Sequence, residues 1–163
     1  MHNRVLFSVG SNLGNKKQNI INSITYLQNI GVSELIISSY YLTEPVGNKE
    51  QEYFLNIAAV GHTKLSSNIL LFLCKSIEYS VGRRLSKKWS ERVLDIDIVI
   101  FGELIINSKN LTIPHTQFRQ RKFVLVPASE IDEKLMDPVS NKNIRDLLQE
   151  CTDTSQISIY KKL

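Results

Sequence analysis

The sequence predicts an α+β fold, and three observations predict it. Short runs rich in Val, Ile and Leu are bounded by Gly, Pro and Asn, as strands are. Two longer stretches repeat apolar residues at helical spacing. Up to Phe101 the two patterns alternate as β-α-β-β-α-β, which fits a ferredoxin-like βαββαβ sandwich, one sheet with both helices on one face. The residues beyond Phe101 read as C-terminal additions. With 163 residues, no internal repeat and no low-complexity linker, the expectation is a single domain over 1–163.

Each element has its own signal. Arg4 to Val9 reads as the first strand, and Gly10-Ser-Asn-Leu-Gly14 as a turn. Asn15 with Gln18 forms a capping-box pattern ahead of the stripe Ile20, Ile24, Leu27, and Gly31 stops that helix. Ser33 to Leu42 is strand-like, and Thr43 to Glu52 is a polar loop punctuated by Pro45 and Gly47. Tyr53 to Val60 reads as the third strand, with a turn around Gly61. Ser66 or Ser67 caps a second helix with the stripe Ile69, Leu73, Ile77, Val81, ended by Gly82. A fourth strand begins near Leu94. Beyond it we expect a short strand near Leu104–Ile106 and a loop from Asn110 to Gln120. A helix comes next at Asn143–Gln149, then an edge strand at Ile157–Tyr160. Arg121 to Val126 fits helix or strand equally.

Composition narrows the function classes. The chain is 42% hydrophobic and 22% charged, as a globular protein is, and its net charge of +4 is too small to indicate nucleic acid by itself. Cys74 and Cys151 lack zinc-site spacing. No apolar run reaches membrane-spanning length and no signal-peptide layout is present, so a cytoplasmic protein is expected.

The chemistry centres on Arg92-Val-Leu-Asp95-Ile-Asp97-Ile-Val-Ile-Phe101. On a strand, Asp95 and Asp97 point to one face, with Leu94, Ile96, Ile98 and Ile100 on the other. Two carboxylates so close repel unless a cation sits between them or one takes up a proton. Hard cations such as Mg²⁺ favour such oxygens and complete their shells with water and substrate phosphates. Just upstream, Arg83, Arg84, Lys87, Lys88 and Arg92 supply five cations. Arg suits phosphate because its planar fork makes paired hydrogen bonds. Neither a P-loop nor a GxGxxG is present, so any nucleotide phosphates would be held by side chains and metal. His115 and Arg121 are further candidates. Phe54 and Asn56, two apart on a strand, could stack on and hydrogen-bond a flat heterocycle, with Phe123 as a second aromatic. An RNA-binding module is the rival class. No RNP1-like run supports it, and the Asp pair would repel phosphates without metal.

The ordered motifs resemble the 6-hydroxymethyl-7,8-dihydropterin pyrophosphokinase family over nearly the whole chain. They are Gly10-Ser-Asn-Leu-Gly14, Thr43-x-Pro45-x-Gly47, Phe54-x-Asn56, Ile77-Glu78, Gly82-Arg83, Trp89-x-x-Arg92-x-x-Asp95-x-Asp97, Pro114-His115 and Arg121-x-Phe123-x-Leu125-x-Pro127. The resemblance implies a pyrophosphoryl transfer from ATP to the pterin hydroxymethyl group. Asp95 and Asp97 would ligate two Mg²⁺ ions. Phe54 and Phe123 would sandwich the pterin, with Asn56 on its edge, aided by backbone of Thr43 and Val46 in the Thr43–Pro45–Gly47 motif. Arg83, Arg84, Arg92, His115 and Arg121 would meet phosphates. Glu78, Trp89, Ile98, Leu111 and Thr112 would form the nucleotide site, and the segments Pro45–Gln51 and Arg83–Glu91 would act as lids. A stand-alone monomer with ATP and pterin as its partners is implied, with no nucleic acid or membrane. The chain departs from the family at Ser90-Glu91, where Gly-Pro is usual, and in a loop before Trp89 one residue shorter than in better-known members. Lys75 replaces a common Gln, and Thr116 a common Tyr.

Overall fold

The computed structural model describes residues 2–46, 50–81 and 91–161. In chain order the main elements are β1 (Asn3–Ser11), α1 (Lys16–Asn29), β2 (Val32–Ile37), β3 (Tyr40–Thr43), β4 (Phe54–Thr63), α2 (Ser67–Ser80) and β5 (Asp95–Phe101). Then come β6 (Ile106–Asn107), β7 (Thr112–Ile113), α3 (Lys122–Asp132), β8 (Met136–Asp137), β9 (Lys142–Asn143), α4 (Ile144–Glu150) and β10 (Ile157–Lys161). Six strands form one antiparallel sheet in the order β10-β3-β4-β1-β5, with β2 also paired to β4.

Apolar residues of the sheet pack on both faces. Val5, Phe7, Val9, Ile96 and Ile98 meet Ile20 and Leu27 of α1 and Leu70, Cys74 and Ile77 of α2. Leu6, Ala58 and Val60 meet Val124, Leu125 and Ala128 of α3 and Ile144 and Leu147 of α4. That second layer decides the open question at Arg121–Val126 in favour of a helix, because Val124, Leu125 and Ala128 lie on one helical face over β4. A sheet covered on both sides also explains why β1 is nearly continuous in hydrophobics rather than alternating.

Four expectations are corrected. Gly61 is not a turn; β4 runs through it to Thr63, and a Cβ there would lie 2.8 Å from Val32 Cγ1. The glycine serves close approach of β2 instead. Ser33–Leu42 is two strands, not one. At the break, Ser38 Oγ accepts the Ala58 N–H at 3.0 Å. The Ser39 N–H and hydroxyl donate to the Glu130 carboxylate on α3. The Ser38 N–H still donates to the Ala58 carbonyl at 2.9 Å, and side chains add to the backbone bonds there. The buried stripe of α2 is Leu70, Cys74, Ile77 and Glu78, leaving Ile69 half exposed. Finally, the register of β1 against β5 shifts between Leu6 and Phe7, so that Leu6 opposes Ile100 and Phe7 opposes Ile98. Val99 is the extra residue of this bulge. Ile100 therefore turns to the α3 side and does not share the face of Ile96 and Ile98.

Candidate active site

Before the bulge, β5 keeps strict alternation. Ile96 and Ile98 are buried toward α1 and α2, which puts Asp95 and Asp97 on the α3 side. Asp95 stands opposite Gly10 and Asp97 opposite Ser8 on β1. Both carboxylates line a cavity of about 230 Å³ with Ser8, Gly10, Arg92, His115 and Arg121. Burial, and then the charge of Asp95, push the Asp97 carboxyl above its usual range; His115, Lys75 and Arg121 pull the other way. Asp95 is paired with the Arg92 guanidinium.

The other end of this cavity is aromatic. Phe54, Asn56 and Thr43 line it from β4 and β3, and Phe123 from the first turn of α3, with Glu44, Val46 and Gln51. Asn56 Nδ2 donates to Thr43 Oγ1 at 2.7 Å. Its carbonyl oxygen lies across Gly10, where an added Cβ would sit 2.3 Å away. A glycine at position 10 is therefore what lets the buried amide occupy the cavity floor. The Arg121 guanidinium packs 5.5 Å from the Phe123 ring centroid and bonds Gln117.

A second cavity, also about 230 Å³, shares Asp97 and His115 with the first. Ile98, Leu111 and Thr112 line it, with Lys75 from α2 and Thr116. The Ser108 hydroxyl donates to the Leu111 carbonyl at 2.9 Å and fixes the turn that leads into β7. His115 is pinned by its backbone N–H to the Val99 carbonyl at 2.9 Å, beside the bulge. Its Nδ1 accepts the Gln117 N–H at 3.3 Å, so the neutral ring carries its proton on Nε2. Burial lowers the His115 pKa, against the opposing pull of Asp97, which favours that neutral ring.

Glu78 lies elsewhere. It is fully buried in α2, outside both cavity linings, and accepts the Ile96 N–H at 2.7 Å and the Lys75 ammonium at 2.8 Å. Pro45 is buried beside the first cavity but is not part of its lining. Gly47, Arg83, Arg84, Lys87, Lys88 and Trp89 lie outside the described residues, as does most of the Arg83–Glu91 segment. Sequence reasoning passed over Ser8, Glu44, Gln51 and Asn12. A lone Ser among Val5, Leu6, Phe7 and Val9 was the available signal for the first of these. Asn12 is fully buried and joins the Gly10–Gly14 turn to Arg92. Among the described residues no group of three or more His, Cys, Asp or Glu gathers as a complete metal site. The carboxylate pair fits a hard cation that takes its remaining ligands from phosphates and water.

Comparisons with known proteins agree with one another. Residues 6–133 match the family model for 7,8-dihydro-6-hydroxymethylpterin-pyrophosphokinase (HPPK). The chain is 34% identical over 146 residues to the 2-amino-4-hydroxy-6-hydroxymethyldihydropteridine pyrophosphokinase of Methylorubrum extorquens, covering 89% of this chain and 91% of that protein. It is 36% identical over 149 residues to the folic acid synthesis protein fol1 of Pneumocystis carinii, covering 91% of this chain but only 20% of that longer protein. Among solved structures, the Plasmodium falciparum HPPK-DHPS wild type with pteroate superposes with a TM-score of 0.74 at 16% identity. The match takes in 92% of this chain and 42% of that one, and it speaks to the fold.

Proposed function

The chain belongs to the 7,8-dihydro-6-hydroxymethylpterin-pyrophosphokinase family, and we propose that it performs the family's reaction at the paired cavities described above. It is a pyrophosphokinase of folate biosynthesis, transferring pyrophosphate from ATP to the hydroxymethyl group of 6-hydroxymethyl-7,8-dihydropterin. The observation that carries the site assignment is the meeting of an aromatic, amide-floored cavity and a second cleft at Asp97 and His115. In this reading the pterin lies between Phe54 and Phe123 with its edge on Asn56. Ile98, Leu111 and Thr112 receive the base of ATP.

Transfer forms a bond from the pterin oxygen to the β-phosphorus and breaks the bridge to the α-phosphate, releasing AMP; the hydroxyl proton passes to solvent. No strong base is placed for that proton among the described residues, so positioning and charge neutralisation carry the rate. Asp95 and Asp97 would hold two Mg²⁺ ions, which supply charge neutralisation and a template for the phosphate oxygens. Arg92, which pairs with Asp95, would meet phosphate together with Arg121, Arg83 and Arg84. Neutral His115 would donate from Nε2. Trp89 and Glu78 would act at the nucleotide side, Glu78 through the backbone of Ile96.

We also read the strand order around β1 as the ferredoxin-like arrangement, within a single domain over 1–163. A cytoplasmic monomer is proposed. No helix among the described residues is long and apolar enough to cross a membrane. The test is an assay with ATP, Mg²⁺ and 6-hydroxymethyl-7,8-dihydropterin. Pterin-dependent AMP is the expected product, and its absence from folded protein would end the proposal.

A further inference from the structure

Ser8 is the only polar residue in the Val5–Val9 run of β1, and nothing in the reaction outlined above uses it. It is 6% exposed and lines the first cavity. Its cross-strand neighbours are Asp97 on β5 and Ala58 on β4. Directly opposed residues share a face with Cβ atoms about 5 Å apart, so the hydroxyl and the Asp97 carboxylate look into the same space. Gly10, two residues along and on the same face, floors the aromatic end. The Ser8 hydroxyl forms no hydrogen bond among the described residues, not even with Asp97. Its oxygen is open to the cavity rather than sealed in the core, so it is available to a ligand there.

Its place in the sheet indicates which partner. Crossing from β4 to β5, the cavity floor runs from Asn56 over Gly10 and Ser8 to Asp97, and Asp97 borders the second cleft. A flat ring held at Phe54, Asn56 and Phe123 and a triphosphate held near Asp97 must meet between those ends. On the pterin reading the reacting oxygen would fall there, beside Ser8. We propose that Ser8 is a substrate-positioning residue whose hydroxyl hydrogen-bonds the exocyclic hydroxymethyl oxygen of the pterin; the proposal rests on the pterin pyrophosphokinase reading of the site. A serine hydroxyl both donates and accepts, so it can take the substrate O–H and leave an oxygen lone pair facing phosphorus. It orients that oxygen and does not deprotonate it.

The test compares binding of 6-hydroxymethylpterin with 6-methylpterin, which lacks the oxygen. Both are titrated calorimetrically into wild type and Ser8→Ala with Mg²⁺ and a non-hydrolysable ATP analogue. Melting curves of both proteins check that Ser8→Ala, which removes one oxygen atom, is folded. The expected result is a preference for the hydroxymethyl compound about three- to ten-fold greater in wild type than in Ser8→Ala, with 6-methylpterin bound alike by both. Equal preference in the two proteins overturns the role of Ser8 while leaving the pterin site standing. Failure of wild type to bind either pterin overturns the functional reading and the Ser8 proposal with it.

Discussion

Asn12 Oδ1 accepts the backbone N–H of Arg92 at 2.7 Å, while the Asn12 N–H donates to the Arg92 carbonyl at 3.0 Å. The same side chain donates from Nδ2 to Gln51 Oε1 at 3.2 Å and to the Glu52 carbonyl at 3.4 Å. One buried amide in the Gly10–Gly14 turn therefore holds residues on two separate segments, and both Gln51 and Arg92 line the first cavity. Removing it in Asn12→Ala strands the Arg92 N–H and loosens both segments. We expect a stability loss of about 2 kcal/mol and a fall in kcat/KM of about tenfold or more. Asn12→Asp keeps the acceptor for Arg92 but sets a carboxylate against the Gln51 and Glu52 oxygens. It should retain more stability than Asn12→Ala and still lose activity, as urea unfolding and steady-state kinetics would show.

Glu78 supports β5 from beneath. Its carboxylate accepts the N–H of Ile96, the residue between the two aspartates, and binds the Lys75 ammonium. Glu78→Ala leaves both donors without that acceptor and should cost about 3 kcal/mol; Glu78→Gln keeps an oxygen for Ile96 and should cost about 1 kcal/mol. Loss of ATP affinity should follow loss of stability across the two variants. If ATP affinity fell in Glu78→Ala with the melting temperature unchanged, Glu78 would be a direct nucleotide ligand instead.

Features governed by local period were legible in the sequence. Alternation alone places Asp95 with Asp97 and Phe54 with Asn56, and these face the same cavity because β1 lies between their strands. Features set by a distant partner were not. Gly61 reads as a turn until β2 is seen packed against it. The Val99 bulge exists only in the pairing with β1. Arg121–Val126 is too short to show a period, and what makes it a helix is the far face of the sheet. Asn12 looks like a turn residue, and its partner lies 80 positions away.

Asp97 is held at an electrostatic cost. Burial and the Asp95 charge disfavour its ionised form, so Asp97→Asn, which cannot ionise, should stabilise the protein by about 1 kcal/mol at pH 7. The same change should cut kcat at least a hundredfold, because half of the proposed metal-binding pair is gone. Mg²⁺ with ATP should raise the melting temperature of wild type and raise that of Asp97→Asn far less. A variant that still gained full protection from Mg²⁺ and ATP would remove Asp97 from the metal assignment; a destabilised one would mean that its buried charge carries no net cost.

Asp137 anchors the segment that carries His115 and Arg121. It is fully buried and takes both Arg119 Nε and Nη2 at 2.7 Å, with further bonds from the Val139 and Ser140 N–H groups and the Ser140 hydroxyl. Burial acts to raise its pKa, but the Arg119 and Ser140 hydrogen bonds outweigh it, and the carboxyl sits below its ordinary 3.8. A depressed carboxylate stabilises the fold above its unfolded value and loses that contribution as pH falls through the folded one. Asp137→Asn should therefore be about 3 kcal/mol less stable than wild type at pH 7, and the gap should narrow as pH drops below 3.8. Urea unfolding of both proteins at pH 7 and pH 3 measures it. Because Arg119 sits between His115 and Arg121, the variant should also show a raised KM for ATP. A stability gap of the same size at both pH values would mean that the Asp137 charge is not what secures this segment.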